Sequence, residues 1–416
     1  MTHPDEQGKE TVLTRRRLLA AAGTGALGLT AAGLLVPRTG VRAASIPATV
    51  TMTRRLAASD THIKLPGRTK ELLMFGFAEP PASATTVAAI TNATKGKVQV
   101  PAPILSIPQG AGLKLELTNV GILSRPDLED SHTVHWHGFR NAIALFDGVP
   151  EMSIAVPPGR QFPYFYQPND AGTYMYHCHF EDVEHVQMGM TGIVFVTPST
   201  DTATVKSAYI DGDGATRYDR QYTLLLSEID PVPHDNLEAV QEFQWVDYKP
   251  AYWIINGRAY PDTIKPENDA SLPRQPISSL IQANPGQRVL MRIVNLGYQQ
   301  HAMQLTGIPM TVVGEDATLL RGPGGADLSY KTSTIYAGPG EARDAIFVAP
   351  PFDPGSVSGS TPARGPWNTY LFKNRSYQKL NNNGSTDAAT GLGGMVTEIR
   401  VYRDALPAQV RPNQTH

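Results

Sequence analysis

The 416-residue sequence predicts an all-β protein made of two β-sandwiches. Three observations carry that expectation. Short stretches rich in β-branched and aromatic residues recur along the whole chain. Turn formers separate them, with 37 Gly and 34 Pro in all. No long amphipathic helical pattern interrupts them.

The first such stretches after position 46 include "KLELTNV", "TVHWHGF", "GTYMYHCHF" and "TGIVFVT". They are short and partly alternating, as strands buried on one face should be. A polar, turn-rich run follows, and the linker is placed at 201–220. The second set comprises "QYTLLLSEI", "AYWIING", "RVLMRIVNL", "MQLTGIPMTVV", "TSTIYAG", "EARDAIFVA", "NTYLFK" and "MVTEIRVY". The resulting domains are 44–200 and 221–405, with a tail at 406–416. Each has enough short strands for one sandwich. "PPGRQFPYFY" and "PGQRVLMRIV" share a turn-then-strand shape, which hints at duplication.

The segment at 1–43 reads as an address. Arg15, Arg16 and Arg17 precede a mild apolar run, and small residues at Val41 and Ala43 suit cleavage after Ala43. This pattern looks like a twin-arginine export signal. The expected location is therefore periplasmic, cell-envelope or extracellular, with no stable membrane span once the signal is removed. The formal net charge of −2 gives no basic patch for nucleic acid.

Of eleven histidines, six lie between 132 and 185. The one cysteine, Cys178, sits among them in "YHCHFEDVEHVQMGM". A single thiol in an exported protein cannot pair within its own chain, and metal ligation is its leading alternative use. Strand parity then sorts the donors. His177 and His179 point one way and Cys178 the other. His135 and His137 share a face, and His132 takes the opposite one. If these strands are neighbours, Cys178 and His132 belong to one site, completed by His185 and Met190. One thiolate, two imidazoles and a thioether form a blue-copper set. His135, His137, His177 and His179 form a second site, whose all-imidazole donors suit copper over magnesium or calcium. A Cys/His zinc site is the rival reading. It leaves unexplained why two ligand groups should sit back to back.

These motifs resemble those of the multicopper oxidase family. "HTVHWHG" is similar to its first histidine motif and "YHCHFEDVEHVQMGM" to its cysteine motif, with "DGVP" at Asp147–Pro150 in support. The resemblance implies cupredoxin-like Greek-key sandwiches and copper as cofactor. It implies type 1 ligands in His132, Cys178, His185 and Met190. It also implies half of a trinuclear cluster in His135, His137, His177 and His179. Asp147 and Glu181 resemble acids that deliver protons to such a cluster. The arrangement is similar to two-domain oxidases, which complete the cluster between subunits of a homo-oligomer, usually a trimer. The expected reductant is a small molecule, a metal ion or a redox protein, and oxygen is the expected acceptor. A non-catalytic electron-transfer cupredoxin and a nitrite reductase-like enzyme are the alternatives.

The second domain departs from the pattern. In "HAMQLTG", Gln304 and Thr306 stand where imidazoles are expected after His301. In "YLFK", Leu371, Phe372 and Lys373 stand where a second His-X-His is expected. His301 is read as a core histidine. No motif recruits His62 or His234.

Overall fold

Strand after strand alternates buried and exposed side chains, so each sheet gains one face that must be covered. The computed structural model describes residues 46–416, and the expected export signal at 1–43 lies outside them. The first sandwich uses β1 (Met52–Ile63), β2 (Leu72–Ala78), β3 (Leu105–Pro108), β4 (Leu113–Asn119), β5 (His135–His137), β6 (Arg160–Tyr166), β7 (Gly172–His177) and β8 (Thr191–Thr197). Its two sheets run β2-β1-β4-β6 and β3-β8-β7-β5. On β4, Leu113, Leu115 and Leu117 point inward to meet Trp136, Tyr164 and Cys178 in one core.

A two-strand hairpin follows, β9 (Lys206–Ser207) with β10 (Arg217–Tyr218). The second sandwich opens with β11 (Arg220–Ile229), β12 (Tyr252–Ile255), β13 (Ile281–Ala283), β14 (Arg288–Asn295), β15 (His301–Leu305) and β16 (Met310–Glu315). It continues through β17 (Thr318–Leu319), β18 (Tyr330–Thr332), β19 (Thr334–Ala337), β20 (Ala342–Val348), β21 (Gly359–Thr361), β22 (Gly365–Asn374) and β23 (Val396–Tyr402). Its sheets run β12-β11-β14-β20-β16-β17 and β13-β23-β22-β15-β19. Among the described residues the longer helices are α1 (Val87–Thr94), α2 (Asp182–Gln187) and α3 (Pro231–Glu238). None is long and apolar enough to cross a membrane.

The two sandwiches share a topology. The order β2-β1-β4-β6 reappears as β12-β11-β14-β20, and β3-β8-β7-β5 as β13-β23-β22-β15. Each matched pair keeps its sense: β1 with β4 and β11 with β14 are parallel, while β5 with β7 and β15 with β22 are antiparallel. The strand order is therefore repeated, but the two stretches whose turn shape hinted at duplication are not counterparts. "PPGRQFPYFY" enters β6, whose counterpart is β20, entered from "GPGEARDAIF". "PGQRVLMRIV" enters β14, the counterpart of β4.

Strand β7 is buried along its whole length, because it is covered on both faces. Tyr174 and Tyr176 face the first core, and Met175 packs with Leu225, Val294, Leu296 and Ala342 of the second sandwich. A buried ionic latch reinforces the contact. Asp344 accepts hydrogen bonds from Thr173 and Tyr209, both 2.6 Å, with Arg292 3.8 Å away. The strand that leads to Cys178 is thus held from both sides.

Candidate metal centres

β5 and β7 pair antiparallel with His135 opposite His177 and His137 opposite Met175. That register fixes everything near Cys178. The chain leaves β7 at His177, so Cys178 turns into the core and His179 returns to the outer face. The parity argument holds, and the donors separate into two groups on either side of the sheet.

The inner group is His132, Cys178 and His185, all fully buried. The Cys178 sulfur lies 3.9 Å from His132 Nδ1 and 3.3 Å from His185 Nδ1. His132 is held by a bridge to Val156, and His185 rides on α2. Met190 is fully buried and joins through the backbone. The Cys178 N–H donates to its carbonyl at 3.1 Å, and its own N–H donates to the His185 carbonyl at 3.0 Å. The Thr133 N–H points at the sulfur from 3.4 Å, a donor placed to stabilise a thiolate. The Phe75 ring meets His185 and His132 edge-on, and Phe180 lies tilted against His185, giving the group an aromatic wall.

The two buried imidazoles of this group are shifted in opposite directions. Burial pushes His132 well below the usual imidazole range, with His185 adding to the effect. Burial also opposes charge on His185, but the Cys178 sulfur and the Asp130 carboxylate outweigh it and raise that imidazole to about 10. One sulfur and two ring nitrogens converge at full burial, so the donor set fits a soft cation such as copper. His185 Nε2 is buried 3.8 Å from Asp130 Oδ2, without a hydrogen-bond partner. Asp130 and Glu184 flank it closely enough to count as a further donor group. Burial raises the Glu184 carboxyl above its usual range.

The outer group brings together His135, His137 and His177, whose ligating nitrogens lie within 4.8 Å of one another. His179 joins by ring contact, 5.1 Å from His135 and stacked 5.6 Å from His177. The backbone fixes the tautomers of His135 and His177, as metal-binding imidazoles require. His135 Nδ1 donates to the Asp147 carbonyl at 2.7 Å, and His177 Nδ1 donates to the Cys178 carbonyl at 2.8 Å. The Gly340 backbone takes one side of His137, leaving its Nδ1 facing His177 Nε2 at 3.3 Å. Burial holds His177 down to about 3 and lowers His137 as well. Both are therefore neutral, ligand-competent imidazoles at pH 7.

Two turns shape this face. Gly148 has φ +75°, and a Cβ there would meet the Val134 carbonyl at 2.1 Å. Only glycine lets the "DGVP" loop press against the backbone leading into β5. Gly340, at φ +77°, lies where a Cβ would touch the His137 ring at 3.1 Å. Asp147 acts first through its carbonyl. Its carboxylate is the more distant contact, 3.5 Å from the same His135 nitrogen. Glu181 stands apart. It is exposed, starts α2 in the left-handed region, and offers its backbone carbonyl to His185 and Glu184. Among the described residues its carboxylate makes no hydrogen bond or ion pair.

His62 pairs with Glu238, and His234 donates from Nδ1 to the Leu73 carbonyl, so neither joins a site. In the second sandwich, Gln304 lies opposite Lys373. The positions matching His177 and His179 are therefore Lys373 and Arg375. This corrects the expectation of Leu371 and Lys373 by two residues. The flanking Asp130 and Phe75 carry no linear motif and emerge only from the folded chain, and Glu184 lies beside His185 in the cysteine motif without having been singled out.

Residues 84–201 match the family model described as multicopper oxidase. Rice Laccase-20 (Oryza sativa subsp. japonica) is 24% identical over 60% of this chain and 38% of its own length. The chain spans well under half the length of the curated relatives it matches. A blue copper oxidase from Nitrosomonas europaea superposes with TM-score 0.59 at 22% identity, covering 83% of this chain and 85% of that one. A copper nitrite reductase from the same organism gives TM-score 0.57 at 18% identity, covering 87% and 98%. At such identities these structures establish the shared cupredoxin fold.

Proposed function

With a multicopper oxidase domain in the first sandwich as its premise, we propose that the chain is a copper-dependent oxidoreductase. It takes electrons from a reductant beside the inner group and passes them to the outer group, with oxygen as acceptor. One observation carries this reading. Cys178 is bonded on either side to His177 and His179, so the donors of the two groups are joined by a few covalent bonds. Copper bound at such donors supplies one-electron redox chemistry.

The chain's own residues divide the work. His132, Cys178 and His185 provide the inner donors, and Met190 provides a thioether beside them. Phe75 and Phe180 exclude water from that group. A cavity of about 480 Å³ opens beside α2, lined by Arg125, Glu184, Met188, Leu237, Phe243 and Trp245. It is the place for a small-molecule or metal-ion reductant, or for the contact of a redox protein. Asp147 orients His135 through its carbonyl and keeps a carboxylate near the outer group.

A second reading rests on what approaches the outer group. The Gly340 turn brings backbone to His137, not imidazole. A lone chain would then transfer electrons with weak or no oxygen reduction, and a partner subunit, in a trimer, would complete the site. Nitrite reduction is the third possibility and is tested directly with nitrite. Export of the chain through the segment at 1–43 belongs to the same proposal and is checked by sequencing the mature N-terminus.

The test is spectroscopic. Copper-loaded full chain should show intense visible absorption that Cys178→Ser abolishes without unfolding the protein. An unchanged spectrum would overturn the assignment of the inner group. Oxygen uptake with phenolic or metal-ion reductants separates the oxidase from the electron-transfer reading.

A further inference from the structure

The second sandwich repeats the strand order of the first, so each residue of the inner group has a counterpart that register identifies. Gln304 lies opposite Lys373 as His135 lies opposite His177. Counting along both strands puts His301 at the place of His132 and Asn374 at the place of Cys178. Three independent bonds agree. His301 bridges Ala337 as His132 bridges Val156. Asn374 N–H donates to the Met395 carbonyl as Cys178 N–H donates to that of Met190. Met395 N–H donates to the Lys379 carbonyl as Met190 N–H donates to that of His185. The supporting asparagines also match. Asn119 ties together the carbonyls of Asp130 and Val156, and Asn295 those of Gln299 and Ala337.

From this correspondence we infer that His301, Asn374, Lys379 and Met395 form a converted copy of the inner metal site, in which the Lys379 ammonium takes the place of the metal cation. Lys379 Nζ lies 3.3 Å from His301 Nδ1, the nitrogen that matches the Cys178-facing atom of His132. Asn374 Nδ2 reaches the same nitrogen at 3.2 Å and the Met395 sulfur at 3.3 Å. Two donors on Nδ1 force the proton onto Nε2, which donates to Glu228 Oε2 at 2.9 Å. Glu228 is fully buried, and Lys379 and His301 nearly so. Glu228 Oε1 accepts the Tyr298 and Gln299 N–H groups, and a cation completes the neutralisation of the buried carboxylate. Here it reaches one through a neutral imidazole, whereas in the first sandwich the thiolate calls for a metal. Lysine cannot be displaced as a diffusible ion can, so this copy is permanently closed and each chain keeps a single thiolate-type centre.

The inference takes from the proposed function only that the inner group binds copper. The first test therefore transplants the donors. In the full chain carrying Cys178→Ser, the added pair Asn374→Cys and Lys379→His should restore intense visible absorption and one bound copper ion. If the unmutated chain shows that absorption and the folded triple variant does not, the conversion is refuted while the proposed function stands. The second test needs no metal and covers failure of the triple variant to fold. Lys379→Met and Glu228→Gln should each lower the urea midpoint, and the double variant should lose clearly less than the sum of the two shifts. Additive shifts would show that the ammonium does not serve as the counter-charge of Glu228, and the inference would fall.

Discussion

Gln187 offers a direct test of how the second sandwich positions the inner group. It sits on α2, two residues after His185, and is buried. Its Nε2 donates to the Glu228 carbonyl at 2.9 Å, and its Oε1 accepts from the Asp230 N–H at 2.9 Å. The Tyr298 hydroxyl adds a bond to the Val183 carbonyl at the other end of the helix. Gln187→Met keeps the volume and removes both amide bonds, leaving two buried backbone groups unpaired. Each such group costs about 1–3 kcal/mol, and the two are not additive because they share one side chain, so a loss of roughly 2–4 kcal/mol is expected. Urea unfolding measures it. The same variant loaded with copper should show a weakened or shifted thiolate absorption, because α2 carries His185 and sets its distance from the Cys178 sulfur. Gln187→Glu keeps the acceptor for Asp230 and should fall between the two. A stability loss of the expected size with an unchanged spectrum would refute the positioning argument. It would mean that the His185 and Met190 backbone bonds hold the site unaided.

Met190→Leu should keep the visible colour and raise the reduction potential, since a weak axial donor is replaced by an apolar group; redox titration of the copper-loaded chain checks this. The partly exposed face of His135, His137 and His179 should lie at a subunit boundary, because clustered imidazoles need a metal or polar partners when covered. Light scattering should give a trimer, and a strict monomer at micromolar concentration contradicts it. His234 should make stability fall in mild acid. Burial holds its imidazole down to about 4, so between about pH 6.5 and 4 the unfolded chain binds a proton that the folded chain refuses. Its share of the loss approaches about 3 kcal/mol near pH 4 and vanishes above pH 7, and His234→Asn should make the urea-unfolding profile less steep over that window by that share.

The first sandwich was legible because its evidence is local. Parity along His132–His137 and along His177–His179 needs only that both stretches be extended and adjacent; β5 with β7 supplies the adjacency, and His132, Cys178 and His179 lie just beyond the paired residues. Strand β7 shows a weaker alternation than β4. Leu113, Leu115 and Leu117 alternate cleanly, whereas β7 is covered by both sandwiches and shows no polar face. The flanking Asp130 and Phe75 come from distant stretches, and nothing in their spacing tied them to His185. The second sandwich failed for a sharper reason. A one-residue error in register turns every side chain to the wrong face and is exposed by parity. An error of two residues leaves every side chain on the same face. Leu371 with Lys373 and Lys373 with Arg375 therefore satisfy parity equally well, and without imidazoles to mark the motif, no local pattern separates them. Only the pairing of Gln304 with Lys373, between strands far apart in the chain, chooses the second pair. That choice is what places Asn374 where the thiol would be and brings Lys379 to the side of His301.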